Sequence, residues 1–204
     1  MLLKRTLIAL CVTLIGSQAM AVEEPPFRIV TQDDTFELRD YQAQVIAEVT
    51  VTGDQSEASN AGFRLLAGYI FGGNTKQQSI AMTAPVAVEP VSEKIAMTAP
   101  VLLTQSKGEW VVRFTMPAGY TLQNLPKPND PKVQLKAVPP ARFAVITFSG
   151  LAGADTVREK SAELMAQVNA RKLRVTGPLS LARYDPPWTL WFMRRNEVMV
   201  PVGS

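Results

Sequence analysis

Phe36-Glu-Leu-Arg-Asp-Tyr-Gln-Ala-Gln-Val-Ile-Ala-Glu-Val-Thr-Val-Thr-Gly53 lies over Val133-Gln-Leu-Lys-Ala-Val-Pro-Pro-Ala-Arg-Phe-Ala-Val-Ile-Thr-Phe-Ser-Gly150 at an offset of 97 residues with no gap. Leu38/Leu135, Ala47/Ala144, Thr50/Thr147 and Gly53/Gly150 are identical, and Arg39/Lys136, Val49/Ile146 and Thr52/Ser149 are close substitutions. Both copies are rich in β-branched residues, end in glycine and run into a helical pattern, so the chain reads as an internal duplication. The segments 36–71 and 133–168 are expected to superimpose by a pseudo-two-fold rotation.

Outward from this repeat, each half opens with a strand pair, crosses through a helix and returns to strands. The first helix is expected over Asp54 to Phe71, stopped by Gly72-Gly73-Asn74. Strands follow at about 79–88, 94–104 and 109–116, and the proline-rich Asn124 to Lys132 is a loop between the halves. The second helix is expected over Asp155 to Ala170, and Tyr184 to Val202 closes the chain as extended structure. The class is α+β: an antiparallel sheet with a helix on each half.

Residues 1–21 read as an export signal. Met1 to Arg5 is a short positive head, Thr6 to Ile15 is an apolar run too short to span a bilayer, and Ala19-Met20-Ala21 is small where a signal peptidase reads. Cleavage after Ala21 would leave one mature domain, 22–204, in the periplasm or secreted. Cys11 suggests a lipoprotein, but Leu10 is bulky for a lipobox; an uncleaved anchor is the other alternative. The mature chain would keep 183 of the 204 residues, with no cysteine, no histidine and a net charge of +1, since Lys4 and Arg5 leave. That composition excludes disulfides, thiolate chemistry and Cys/His zinc sites. With no basic cluster it gives no footprint for nucleic acid.

The two helices differ. The second carries Asp155, Arg158, Glu159, Lys160 and Glu163 around one apolar stripe, Val157, Leu164, Met165 and Val168, as a surface helix should. The first has only Glu57 and Arg64 as charges. Phe63, Leu66, Ala67 and Ile70 form one stripe, and Ala58, Gly62, Leu65 and Tyr69 a second, about 120° away at helical pitch. One stripe packs on the sheet; the other meets either a covering loop or strand, or a ligand or partner. A second repeat lies inside the first half: Ile80-Ala-Met-Thr-Ala-Pro-Val86 recurs as Ile95-Ala-Met-Thr-Ala-Pro-Val101. Met82 and Met97 read either as core fillers or as soft contacts for a large flat ligand.

The doubled Ile-Ala-Met-Thr-Ala-Pro-Val, the helix end Tyr69-Ile-Phe-Gly-Gly-Asn74 and the terminal Tyr184-Asp-Pro-Pro-Trp-Thr-Leu-Trp-Phe-Met-Arg-Arg-Asn-Glu-Val198 together resemble the SOUL/heme-binding protein family over about Phe27 to Val202. The resemblance implies a pseudo-symmetric, open barrel-like antiparallel sheet with two flanking helices. It also implies heme or a related tetrapyrrole, a small apolar planar ligand, held by the first helix and the loop near the C-terminus. By position the contacts would be Phe63, Leu66, Ala67, Ile70, Trp188, Thr189 and Leu190. Basic residues expected on the helix for the propionates are replaced by Asn60 and Gly68, leaving Arg64 and Lys76 as nearby cations. Without histidine, an axial ligand would come from Met or Tyr, or there would be none.

Arg194-Arg195 reads either as a clamp for a ligand carboxylate or as a salt-bridged strand end with Glu197 as partner. No catalytic residues are assigned. A histidine-based triad and a thiol nucleophile are ruled out, Ala67 to Gly73 follows its helix where a phosphate cradle precedes one, and nothing brings Glu37 and Asp40 into a cleft. The expectation is a non-catalytic binder, with no metal site of its own. The alternative is a protein- or membrane-interaction module using the same apolar surface; the sequence is silent on oligomeric state.

Overall fold

A computed structural model of the chain describes residues 22–76 and 91–203. The expected export signal, the first Ile-Ala-Met-Thr-Ala-Pro-Val copy with Met82, and the strand expected at 79–88 lie outside them. Eleven strands are described: β1 (Phe27–Asp33), β2 (Phe36–Tyr41), β3 (Gln44–Val51), β4 (Asn74–Thr75), β5 (Val101–Ser106), β6 (Glu109–Thr115), β7 (Lys127–Pro128), β8 (Gln134–Val138), β9 (Ala141–Ser149), β10 (Ser180–Arg183) and β11 (Arg195–Val202). Two α-helices, α1 (Gln55–Ile70) and α2 (Ala154–Ala170), follow β3 and β9. The class is α+β as expected: a curled nine-stranded antiparallel sheet in the order β1-β2-β9-β11-β10-β5-β6-β3-β8, with both helices packed on it.

From β2 to β8 this order is unchanged on reversal if β2 is matched with β8, β9 with β3, β11 with β6 and β10 with β5. The matched ladders repeat in detail, for Leu38 lies opposite Ala144 in β2–β9 and Leu135 opposite Ala47 in β3–β8. Gly53 and Gly150 both take positive φ, +115° and +103°, at the turn that carries the chain from strand towards helix. The expected strand pairs are not hairpins: β2 pairs with β9, and β3 with β8 and β6, so the two halves exchange strands. The linkers explain this. A two-residue hairpin needs left-handed conformations, and neither Gln42-Ala43 nor Pro139-Pro140 favours them; the prolines hold their φ near −65°.

Asp54 caps α1, accepting from the Ser56 and Glu57 amides at 2.8 and 2.9 Å, while Glu57 accepts from the Asp54 amide at 3.1 Å. The helix stops where expected. Gly72 has φ +118°, the Gly73 amide donates to Gly68 O at 2.8 Å, and Asn74 Nδ2 donates to Tyr69 O at 2.7 Å.

Three expected elements are corrected. The strand at 94–104 enters the ladder only at Val101, after Pro100, which has no N–H to donate. Ile95 is instead buried against the end of α1, its amide donating to Ile70 O at 2.8 Å. The loop 124–132 contains β7, which pairs with β4. The extended stretch 184–202 is broken by a loop with a 3-10 turn at Trp191–Met193, and β10 precedes it.

The main core lies between the sheet and the helices: α1 on β3 and β6, α2 on β9 and β11. Strand residues of one parity face it, among them Leu38, Ala47, Val49, Val112, Phe114, Ile146 and Val198. The opposite parity forms a smaller cluster on the concave face, where Tyr41, Val145, Ala182 and Met199 pack with Phe27, Leu102, Phe143 and Tyr184.

Candidate functional site

The sites of interest occupy opposite faces of the sheet. On the helix side, β10, β5 and β6 place Arg183 opposite Val101, and Val101 opposite Phe114. The Phe63 ring of α1 meets Phe114 edge-on at 5.5 Å, and Arg183 Nη1 donates to Ser59 Oγ of α1 at 3.2 Å. The chain leaves β10 from this row, so the loop 184–194 springs from beside α1. That loop exposes Trp188, Leu190, Trp191, Phe192 and Met193 together, with Trp188 83% exposed. Trp191 and Phe192 pack edge-to-face at 5.7 Å, and Arg194 braces the loop by donating to Thr189 O at 2.8 Å and to Pro187 O.

Among the described residues neither Arg183 nor Arg194 meets a carboxylate. Burial, and then the nearby Arg194 charge, makes the Arg183 guanidinium less basic than usual, although an arginine stays cationic. Arg64 is exposed on α1.

The structure divides the expected contact residues. Phe63 (38% exposed), Arg64 and the half-buried Ala67 are accessible on α1, and Trp188, Thr189 and Leu190 lie on the adjoining loop. Leu66 and Ile70 do not form an open surface: they are 0% and 1% exposed, because they are the residues that seat α1 on the sheet. Lys76 pairs with Glu93 at 3.6 Å beyond the C-terminal end of α1. That end lies about 16 Å along the helix from Ser59, the residue that Arg183 reaches. The second stripe is covered by protein: Gly62 backs onto Val112, and Tyr69 OH donates to Pro126 O at 2.9 Å. Trp191, Phe192, Met193 and Arg183 complete the rim and were not assigned to it from sequence. Trp191 to Met193 follow Leu190 directly within the same C-terminal motif; Arg183 gave no signal beyond its charge.

On the concave face, Glu197 is 0% exposed. Arg39 donates to its two oxygens at 2.9 and 3.1 Å, Tyr184 OH at 2.7 Å, Arg195 at 2.8 and 3.2 Å, and Thr147 at 3.3 Å. Burial by itself raises the Glu197 carboxyl, but the hydrogen bond and charge of Arg39, with Tyr184 and Arg195, outweigh it and hold the group below the usual carboxylate range. Arg195 also pairs with Glu24 at 3.0 Å, so within Arg194-Arg195 it is the salt-bridged member. Glu37 and Asp40 cannot act as a pair. They point to opposite faces of β2, where Glu37 meets Arg39 at 2.6 Å and Asp40 meets Arg142 at 2.7 Å.

The C-terminal domain of EcmrR shares this fold, with a TM-score of 0.60 at 13% identity over 83% of this chain and 97% of that one. A hydrolase from Listeria innocua gives 0.52 at 13% over 85% and 94%, and an uncharacterized conserved protein from Listeria innocua 0.53 at 13% over 83% and 92%. These likenesses show the fold alone. A search of curated proteins found no match. The family model described as SOUL heme-binding protein matches residues 22–201. The chain belongs to the SOUL heme-binding protein family.

Proposed function

We propose that this protein is an exported, non-catalytic carrier of heme or a related tetrapyrrole, held where α1 meets the 184–194 loop and without histidine on the iron. A tetrapyrrole supplies a flat apolar ring with carboxylates at one edge. The residues present fit both features. Phe63, Trp188, Leu190 and Trp191 offer exposed apolar surface for the ring, and Arg183 and Arg64 offer cations for the carboxylates. The observation that carries the reading is the coincidence of this surface with a guanidinium that has no carboxylate partner among the described residues. Exposed apolar patches of this kind mark binding surfaces. Catalysis is not invoked, because the buried ionisable groups on the concave face are engaged with one another.

Hemin and iron-free protoporphyrin titrations test the proposal. Both are expected to bind with similar affinity, since ring burial supplies most of the stabilisation. Phe63→Asp and Trp188→Ala should each weaken binding about tenfold, roughly 1.4 kcal/mol, while leaving the melting temperature within a few degrees. Absence of binding by either compound would remove the tetrapyrrole reading. Tight hemin binding with a six-coordinate spectrum and no protoporphyrin binding would instead reveal an axial ligand. N-terminal sequencing of the exported fraction should return Val22; Met1 there would refute processing.

The loop also favours one second reading. Two tryptophans, a phenylalanine and a methionine beside Arg194 form the kind of amphipathic rim that inserts at a lipid interface. Co-sedimentation with vesicles, lost on Trp188→Ala and unchanged by hemin, would support membrane contact over ligand carriage.

A further inference from the structure

We infer that the concave face of the sheet holds a second binding site, separate from the helix–loop rim, for a small apolar monocarboxylate with the bulk of about one ring. The face contains a cavity of about 140 Å³. Its walls are Ile46, Leu102, Phe143 and Met199, closed by Pro25 and Pro201. It spans the middle of the sheet where β5 meets β10, the point at which the strand order turns back on itself. Apolar cavities of about 150 Å³ accommodate benzene, which sets the size of the occupant's body.

The polar groups at the wall set its charge. The Thr104 and Ser180 hydroxyls bond one another at 2.7 Å, and Gln44 Oε1 accepts from Thr115 at 3.1 Å, so these groups are already satisfied by the protein. Arg113, also in the wall, is different. Its Nε donates to Glu48 at 2.8 Å, and among the described residues neither Nη atom has a hydrogen-bond partner. Glu48 is shared with Lys136, so two cations face one carboxylate and the group keeps an excess positive charge. A guanidinium with both Nη groups left as donors in its plane matches a carboxylate and repels an ammonium.

The cavity is a built one. Residues before β1 form a strap across it: the Ala118 amide donates to Glu23 Oε1 at 2.6 Å, the Ala99 amide to Glu23 O at 2.9 Å, and Arg195 holds Glu24. Pro25 is thereby pressed into the wall as a buried residue.

The test titrates phenylacetate, benzylamine and toluene into the purified protein with ¹³C-labelled methionine and isoleucine methyls. Phenylacetate is expected to shift the Met199 and Ile46 methyl signals saturably and to bind at least tenfold more tightly than benzylamine. Arg113→Gln should weaken phenylacetate about tenfold while leaving toluene and hemin binding unchanged. Leu102→Trp, which fills the cavity from a partly exposed position, should abolish the methyl shifts and keeps the test independent of the Arg113 variant's folding. Equal binding of phenylacetate and benzylamine, shifts only on the Trp188 loop, or no saturable shift of either methyl would overturn the inference. Because hemin is read separately, failure of the cavity and failure of the tetrapyrrole reading are distinguishable.

Discussion

Glu197 shows how a single residue is decided by its surroundings. Alternation along β2 sends Phe36 and Leu38 to the core, and by the same rule sends Glu37, Arg39 and Tyr41 to a face that a flat sheet would leave in water. The sheet curls, so that face closes, and Arg39 ends 2% exposed with Glu197 as its buried partner. Removing the Glu197 charge leaves the buried Arg39 with Glu37 alone and the part-exposed Arg195 with Glu24. Glu197→Gln should therefore cost about 3 kcal/mol in urea unfolding, because Arg39 keeps its charge in a buried site with one partner fewer. The pH dependence has a defined sign. Asp40 is held at about 2, first by its hydrogen bond to Arg142 and then by Arg28, and Glu197 is also depressed. Groups whose folded pKa is lowered contribute stability that is full above the unfolded value and lost as pH falls through the folded one. Stability should thus fall from about pH 4 towards pH 2, and Asp40→Asn should flatten that fall in acid titrations followed by circular dichroism.

Among the elements, α1 carries both the legible and the illegible parts of the site. Its boundaries followed from Asp54, Glu57 and Gly72-Gly73, which act through neighbouring backbone. That neither apolar stripe stays open along its length, with Phe63 left accessible at one point, did not follow, because periodicity gives the angle between stripes and says nothing about what lies over each. Two glycines make the difference measurable. A Cβ on Gly62 would stand 2.4 Å from Val112 Cγ2, and Val112 is itself fully buried. Gly62→Ala should therefore destabilise by about 1–3 kcal/mol through overpacking, more than the helix propensity it gains. Gly68 has nothing within 4 Å of its Cβ position and is exposed. Gly68→Ala should stabilise by about 0.5–1 kcal/mol, and thermal or urea unfolding of both variants checks the pair.

For the whole molecule the decisive feature is that the halves exchange strands. β2 is held by β9 of the second half, and β3 by β8. A fragment of residues 22–131 would keep the β1–β2, β5–β6 and β3–β6 pairs but lose β9 beside β2, β8 beside β3 and β10 beside β5. It is expected to show no cooperative unfolding transition and no dispersed amide spectrum, whereas adding the fragment 132–204 should restore both. Independent folding of either fragment would contradict the exchanged arrangement.

What the sequence determined by itself was local or periodic: the strand and helix sites of the 97-residue repeat, the caps of α1, and the family resemblance carried by contiguous motifs. Each rests on residues within a few positions of one another, or on alternation along one element. What only the tertiary structure decided was pairing and closure. Gln42-Ala43 and Pro139-Pro140 forbid tight hairpins but do not name the strand that each copy joins instead. Leu66 and Phe63 are equally apolar in the chain, yet one is sealed against the sheet and the other left at its rim. Arg39 and Glu197 lie 158 residues apart, and their charges meet only because the sheet curls enough to take both out of water.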